Sequence, residues 1–155
     1  MRILAYVALA VLCTGCLTHP NRCQQPMPSD PATETFAPSL NIDLSQMTRT
    51  TDGVYEQDLV VGTGETLGSA TLVQMNYSAY LPDGTLVDQT TQGPIILDLQ
   101  AQAALGVTEG MIGMNVGGQR LLVVPSQLAL GPCGKGTIPP NSTVVYKIEL
   151  LAINP

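Results

Sequence analysis

The side chains that most often carry covalent chemistry are scarce in this chain of 155 residues. His19 is its sole histidine and stands among prolines and polar residues near the N-terminus. No metal-ligating constellation is present, and a Ser or Cys nucleophile would lack a histidine base. Gly62-Thr63-Gly64 is a single glycine pair that does not lead into a helical pattern, so the context in which glycine loops cradle phosphates is missing. The Asn-x-Ser/Thr matches at Asn76 and Asn141 are chance-level signals. The formal charge is −6, and Arg120, Lys135 and Lys147 are scattered, so nothing resembles the clustered basic surface that a phosphate backbone requires. Nucleic acid is not an expected partner, and neither a metal nor a cofactor is implied.

The cysteines are the remaining reactive groups. Met1-Arg2 is a minimal basic start, and Ile3 to Leu12 is an uncharged, mostly aliphatic run. It is shorter than the roughly 20 residues that span a bilayer, and it has the layout of a cleaved signal peptide. Thr14-Gly15-Cys16 resembles the end of a bacterial lipobox, although Cys13 stands where that pattern prefers leucine. Residues 1–15 are expected to be a lipoprotein-type signal peptide, with Cys16 acylated and the chain held extracytoplasmically in the cell envelope of a bacterium. Stable anchoring takes more than one acyl chain, at roughly 0.8 kcal/mol per buried CH₂. Cys23 and Cys133 are then left either to pair in an oxidising compartment or to remain as two thiols.

The elements that would position any site begin later. Residues 16–49 hold Pro20, Pro26, Pro28, Pro31 and Pro38 among Gln, Ser, Thr and Asn, and read as a tether with too little apolar surface to offset its ordering entropy. Within them, the alternation Leu40-Asn41-Ile42-Asp43-Leu44 is compatible with an extra edge strand or a short ordered lead-in. Residues 50–155 read as one folded, mainly β domain. With one Phe and no Trp, its core must be aliphatic. Val73, Met75, Tyr77, Ala79 and Leu81 have the period of two that marks a half-buried strand, and Pro82-Asp83-Gly84 turns it back into Thr85–Asp88. Ile95, Leu97 and Leu99 alternate after Pro94. Arg120–Val124 and Val144–Leu151 supply two further strands. Gln100–Leu105 carries the best helix formers and is the expected helical nucleus, with Gly106, Gly110 and Gly113 keeping any helix short. Several strands and one short helix make an α+β layout.

Four blocks in order and spacing, over about 100 residues, resemble the FKBP-type peptidyl-prolyl isomerase family. They are Tyr77-Ser78-Ala79-Tyr80-Leu81-Pro82-Asp83-Gly84-Thr85-Leu86-Val87-Asp88, then Gly106–Arg120 with its Glu109-Gly110-Met111 and Val116-Gly117-Gly118, then Leu128-Ala129-Leu130-Gly131, and finally Ile138-Pro139-Pro140-Asn141 running on to Glu149-Leu150-Leu151. The resemblance implies a curved antiparallel sheet wrapped around one short helix, with an apolar pocket between them that binds proline-containing polypeptides and needs no cofactor.

Residue by residue, Tyr77 and Asp88 match the family's polar rim, and Tyr146 replaces a phenylalanine; these are the implied catalytic positions. Ile138 matches an apolar wall. Val87 and Ile95 stand where the family usually has Phe, Val107 where it has the Trp of the pocket floor, and Leu130 where it has a Tyr. Ala103 and Ala104 fall near a backbone donor for the substrate. The expected function is isomerisation of X-Pro bonds in extracytoplasmic client proteins, with a membrane anchor at Cys16. The alternative is a non-catalytic binding or chaperone module that kept the fold and lost the aromatic pocket.

Overall fold

The computed structural model describes residues 29–68 and 72–155. The expectations for residues 1–28, including Cys13, Cys16 and Cys23, lie outside that range. Alternation sets the strands: β1 (Thr48–Arg49), β2 (Tyr55–Val60), β3 (Leu72–Tyr80), β4 (Leu86–Gln89), β5 (Ile95–Asp98), β6 (Gln119–Val124) and β7 (Val144–Ile153). They form one antiparallel sheet in the order β1-β2-β6-β7-β3-β4, with β5 pairing β3 beside β4. The nine-residue β3 is therefore the spine of the site. β7 runs along one of its edges, while β4 and β5 share the other, opposite Ser78–Tyr80 and Leu72–Met75 respectively.

Period-two patterning sends Val73, Met75 and Tyr77 of β3 and Tyr146, Ile148 and Leu150 of β7 to one face. There they meet Leu122 and Val124 of β6 and the helix α1 (Leu105–Met111), with Leu99 and Met114 filling the gaps. The expected α+β class and the curved sheet with one short helix are both present. The helix is displaced from its expected place, because residues 99–102 form a turn instead. Asp98 Oδ1 accepts from the amides of Gln100 (2.9 Å) and Ala101 (3.1 Å), a side-chain alternative to helical bonding that propensity does not register. The glycines expected to interrupt a helix lie inside α1, for a packing reason. A Cβ on Gly106 would collide with Val124, and one on Gly110 would sit 2.7 Å from Leu122 Cδ2. Helix and sheet approach closely only because those two positions have no side chain.

Arg120 fastens the other end of α1. Although 6 % exposed, it donates from Nη1 to the carbonyls of Gly110 (2.9 Å) and Ile112 (3.0 Å), which the helix terminus leaves unpaired. Its Nε and Nη2 reach the two carboxylate oxygens of Asp58 at 2.7 and 3.1 Å, and Nη1 lies 3.4 Å from Glu56. Burial holds the Glu56 carboxyl above its usual range, with Arg120 pulling the other way.

The chain from Ser29 to Arg49 is packed rather than tethered, which moves the start of order well ahead of the expected boundary at residue 50. Pro31–Thr33, Pro38–Leu40 and Leu44–Gln46 are short 3-10 turns, so Leu40–Leu44 is no strand. Leu40 and Met47 are buried with Phe36 and Ile42 against Leu121, Val123 and Val145 on the outer face of β6 and β7. The physical reason is in β6 itself: Leu121-Leu122-Val123-Val124 is apolar on both faces, so both must be covered. Polar ties complete the strap. Ser29 and Ser126 exchange amide-to-hydroxyl bonds of 3.0 and 2.9 Å, Thr143 donates to Glu34 (2.7 Å), and the Ala37 amide donates to the Pro82 carbonyl (2.7 Å).

Candidate functional site

Between the inner face of β3 and β7 and the start of α1 lies an open cavity of about 350 Å³. β3 contributes Met75, Tyr77 and Ala79, all on one face by alternation, and β7 contributes Tyr146. β4 brings Val87 and Asp88, and β5 brings Ile95 and Leu97. Val107 of α1, 5 % exposed, closes the floor, with Gln102, Ala103 and Ala104 from the preceding turn beside it. Leu130 and the loop Lys135–Ile138 form the remaining wall.

That loop is fixed by its backbone. Lys135 and Ile138 exchange amide-to-carbonyl bonds of 3.0 Å each, and the Thr137 hydroxyl donates to the Val87 carbonyl at 3.0 Å, tying the wall to β4. Gly134 has a φ of +62°, and a Cβ there would strike the Ile138 carbonyl, so the turn needs glycine. Cys133, just ahead of it, is disulfide-bonded. The Thr108 hydroxyl donates to the Leu99 carbonyl at 2.6 Å, locking α1 to the turn that carries Ala103 and Ala104.

The polar part of the site is small. Tyr77 donates its hydroxyl to Asp88 Oδ2 at 2.7 Å, and Asp88 Oδ1 accepts from the Gln89 amide at 2.9 Å. Burial, and then the bond to Asp88 and its charge, push the Tyr77 phenol far above its ordinary range. Burial with the Asp88 charge pushes Tyr146 up to about 12. Both phenols are therefore neutral at physiological pH; the Tyr77 proton is committed to Asp88, and the Tyr146 hydroxyl is available as a donor, not as a base. Among the described residues no group of His, Cys, Asp and Glu is placed to hold a metal ion. The chemistry this arrangement can perform is desolvation and orientation of a neutral, largely apolar ligand.

All of the residues named from the sequence for this pocket, Tyr77, Asp88, Tyr146, Val87, Ile95, Ala103, Ala104, Val107, Leu130 and Ile138, line the one cavity. Cys16 lies outside the described residues. Sequence reasoning missed Met75, Ala79, Leu97, Gln102, Lys135, Gly136 and Thr137. Three of these were within reach: Met75 and Ala79 flank Tyr77 at a spacing of two, and Leu97 follows Ile95 likewise. The others sit on turns, where no periodicity tells which side faces inward.

The profile of the family described as FKBP-type peptidyl-prolyl cis-trans isomerase matches residues 64–151, more than half of the chain. The FKBP-type peptidyl-prolyl cis-trans isomerase FkpA of Escherichia coli K12 is 38 % identical over 105 residues, covering 66 % of this chain and 38 % of FkpA. An FK506-binding protein 4 of Chaetomium thermophilum is 36 % identical over 118 residues, covering 75 % of this chain and 23 % of that protein. The chain thus spans well under half of the length of these curated relatives. Among solved structures, FkpA from Escherichia coli superposes with a TM-score of 0.66 at 35 % identity, covering 71 % of this chain and 52 % of the other. A peptidyl-prolyl cis-trans isomerase from Pseudomonas syringae superposes with a TM-score of 0.65 at 33 % identity, covering 71 % of this chain and 82 % of that one. With a cavity built from the segments that carry the matching motifs, the chain belongs to the FKBP-type peptidyl-prolyl cis-trans isomerase family.

Proposed function

We propose that this chain catalyses cis–trans isomerisation of X-Pro bonds in polypeptides outside the cytoplasm, held to a bacterial membrane by a lipid on Cys16. The barrier to be lowered is amide resonance, about 18–20 kcal/mol, which leaves the uncatalysed reaction at tens to hundreds of seconds. Twisting the C–N bond removes the charge separation of the planar amide, so an environment that withholds water favours the twisted state over the planar one. The observation that carries the reading is the convergence of Val87, Ile95, Val107, Leu130 and Ile138 on one largely apolar cavity, with the hydrogen-bonded Tyr77 hydroxyl and Asp88 carboxylate at its edge. Ala103 and Ala104 carry amides with no acceptor among the described residues, which suits them to the substrate carbonyl.

A second reading is favoured by the composition of the lining. Tyr77 and Tyr146 are its only aromatic residues, and an aliphatic pocket gives up the rigid ring faces that contribute 150–250 Å² of burial each. On that reading the cavity captures proline segments without turning them over. A protease-coupled isomerisation assay on the whole chain, with proline peptides of varied preceding residue, separates the two. Acceleration that is lost in Asp88→Ala and Tyr146→Ala supports the isomerase. A flat response from a folded chain that still binds the peptides leaves the binding module. Attachment through Cys16 is checked by mass spectrometry of the mature N-terminus, where an unmodified Cys16 would end that part of the proposal.

A further inference from the structure

We propose that Lys135 makes this pocket selective for prolines that have a carboxylate side chain beside them, so that the favoured ligand class is an acidic Glu-Pro, Asp-Pro, Pro-Glu or Pro-Asp segment. The inference rests on the cavity being the proline site. Only two residues lining that cavity are charged, Asp88 and Lys135. Their situations differ. The Asp88 carboxylate is engaged on both oxygens, by the Tyr77 hydroxyl and the Gln89 amide, and it faces the phenols of Tyr77 and Tyr146. The Lys135 ammonium is exposed and makes no ion pair or side-chain hydrogen bond among the described residues, where the acid–base contacts belong to Arg120.

The free cation is not on a loose loop. Its backbone is bridged to Ile138 in both directions, its turn requires the left-handed Gly134, and Thr137 anchors the next residue but one to β4. The tip of the wall therefore anchors the backbone of one lysine at a set place on the rim of a largely apolar pocket, which keeps its ammonium within a side chain's reach of that rim. Once the ring of a proline is seated, a neighbouring side chain must lie along that rim. A carboxylate there gains a partner that the protein does not already supply, whereas an ammonium is repelled. The chain's overall charge of −6 works against acidic peptides at a distance, but a Debye length of about 8 Å in physiological salt screens the remote carboxylates more than the adjacent lysine. For an exposed pair of unit charges about 6 Å apart, the expected preference is roughly two- to fivefold.

The test uses the whole chain and a protease-free isomerisation assay, with two peptide series that place Leu, Gln or Glu immediately before or immediately after the proline. In the wild type the Glu/Gln ratio of kcat/KM is expected at about two to five in at least one series. Lys135→Ala brings that ratio to one or below, and Lys135→Glu inverts it; raising the salt to 1 M flattens it. Glu/Gln ratios that are the same in the wild type and Lys135→Glu overturn the inference while leaving the isomerase reading intact, provided that Leu-Pro peptides are turned over. If no peptide is turned over, the isomerase reading fails by itself, and fluorescein-labelled versions of the same peptides are compared by anisotropy. A Glu preference in Kd that Lys135→Glu reverses then supports the inference, and equal or undetectable binding overturns it.

Discussion

Replacing Val107 by tryptophan tests the central physical claim, that proline is held by apolar contact with the pocket floor. Val107 is 5 % exposed and lies under an open cavity of about 350 Å³, so an indole can rise into space already present. If the larger ring lets a docked proline cover roughly 50 Å² more apolar surface, then at about 25 cal/mol per Å² the gain is about 1.2 kcal/mol. That corresponds to roughly an eightfold rise in kcat/KM. The opposing effect is crowding against Met75, Met111 and Leu122 below, and overpacked cores lose about 1–3 kcal/mol. Urea unfolding therefore comes first, to show that Val107→Trp still folds. Because the natural chain contains no tryptophan, the introduced indole is also a unique fluorophore, and its quenching or blue shift on adding proline peptides reads occupancy directly. A gain confined to KM means contact made equally in ground and transition states; a gain in kcat means contact realised on twisting. A folded Val107→Trp whose fluorescence responds to peptide, but whose affinity and kcat/KM match the wild type, would refute the idea that floor contact sets binding strength here.

Other consequences are quicker to check. Arg120→Met strands two helix carbonyls and frees Asp58 and Glu56, and should cost about 2–4 kcal/mol in urea unfolding; the value falls below the usual loss for a buried pair because Asp58 is partly exposed. Gly110→Ala should lower stability by about 1–2 kcal/mol, overpacking against Leu122 outweighing roughly 1 kcal/mol of helix propensity, while Gly68→Ala, which meets nothing within 4 Å, should be neutral in the same thermal scan. The folded state holds the Tyr146 proton more tightly than the unfolded chain, so the contribution of Tyr146 to stability is constant below about pH 10 and is lost as pH rises through about 12, by about 2–3 kcal/mol; Tyr77, raised further, adds a loss in the same direction, so Tyr146→Phe should remove the Tyr146 part of the alkaline loss in pH-dependent unfolding and leave the rest. Replacing Phe36, Leu40 and Met47 together by alanine, which leaves the Cys133 disulfide in place, should loosen the cover over Leu121, Val123 and Val145, seen as increased binding of a hydrophobic dye and a lowered Tm; an unchanged Tm would mean that the apolar contacts of the strap contribute nothing to the sheet.

What could be read from the sequence divides along the kind of force involved. Period-two strands such as β3 and β7 are legible because one buried face writes itself into alternate residues, and those strands fix most of the cavity wall. The family motifs then placed Val87, Leu130 and Ile138, which no periodicity would have gathered. The helix starts later than the sequence predicts because the preference of Gln100–Leu105 for helix is only a few tenths of a kcal/mol per residue, less than the Asp98 side-chain bonds that make the turn. Gly106 and Gly110 looked like helix breakers, yet close packing on Val124 and Leu122 selects them. Lys135 reads from sequence only as one of the scattered cations, because a charged residue in a glycine-rich loop reads as solvated and only the fold bridges that loop back on itself beside the pocket.

The strap shows the same limit from the other side. Residues 29–49 are poor in apolar groups when counted alone, and such composition normally means that ordering entropy wins. The surface that orders them lies some 70 residues further on, in the four consecutive apolar residues of β6, which have a second face to cover. A polar segment with a few well-spaced apolar residues, here Phe36, Leu40, Ile42 and Met47, is enough when the surface it covers is already fixed by the sheet, because its partners are ordered at no further entropic cost. Covering that face steadies β6 and β7 in the region where β7 presents Tyr146 to the cavity. A site that works by shape and has no reactive group depends on such support, since any looseness in its walls lets water back to the amide it must keep dry.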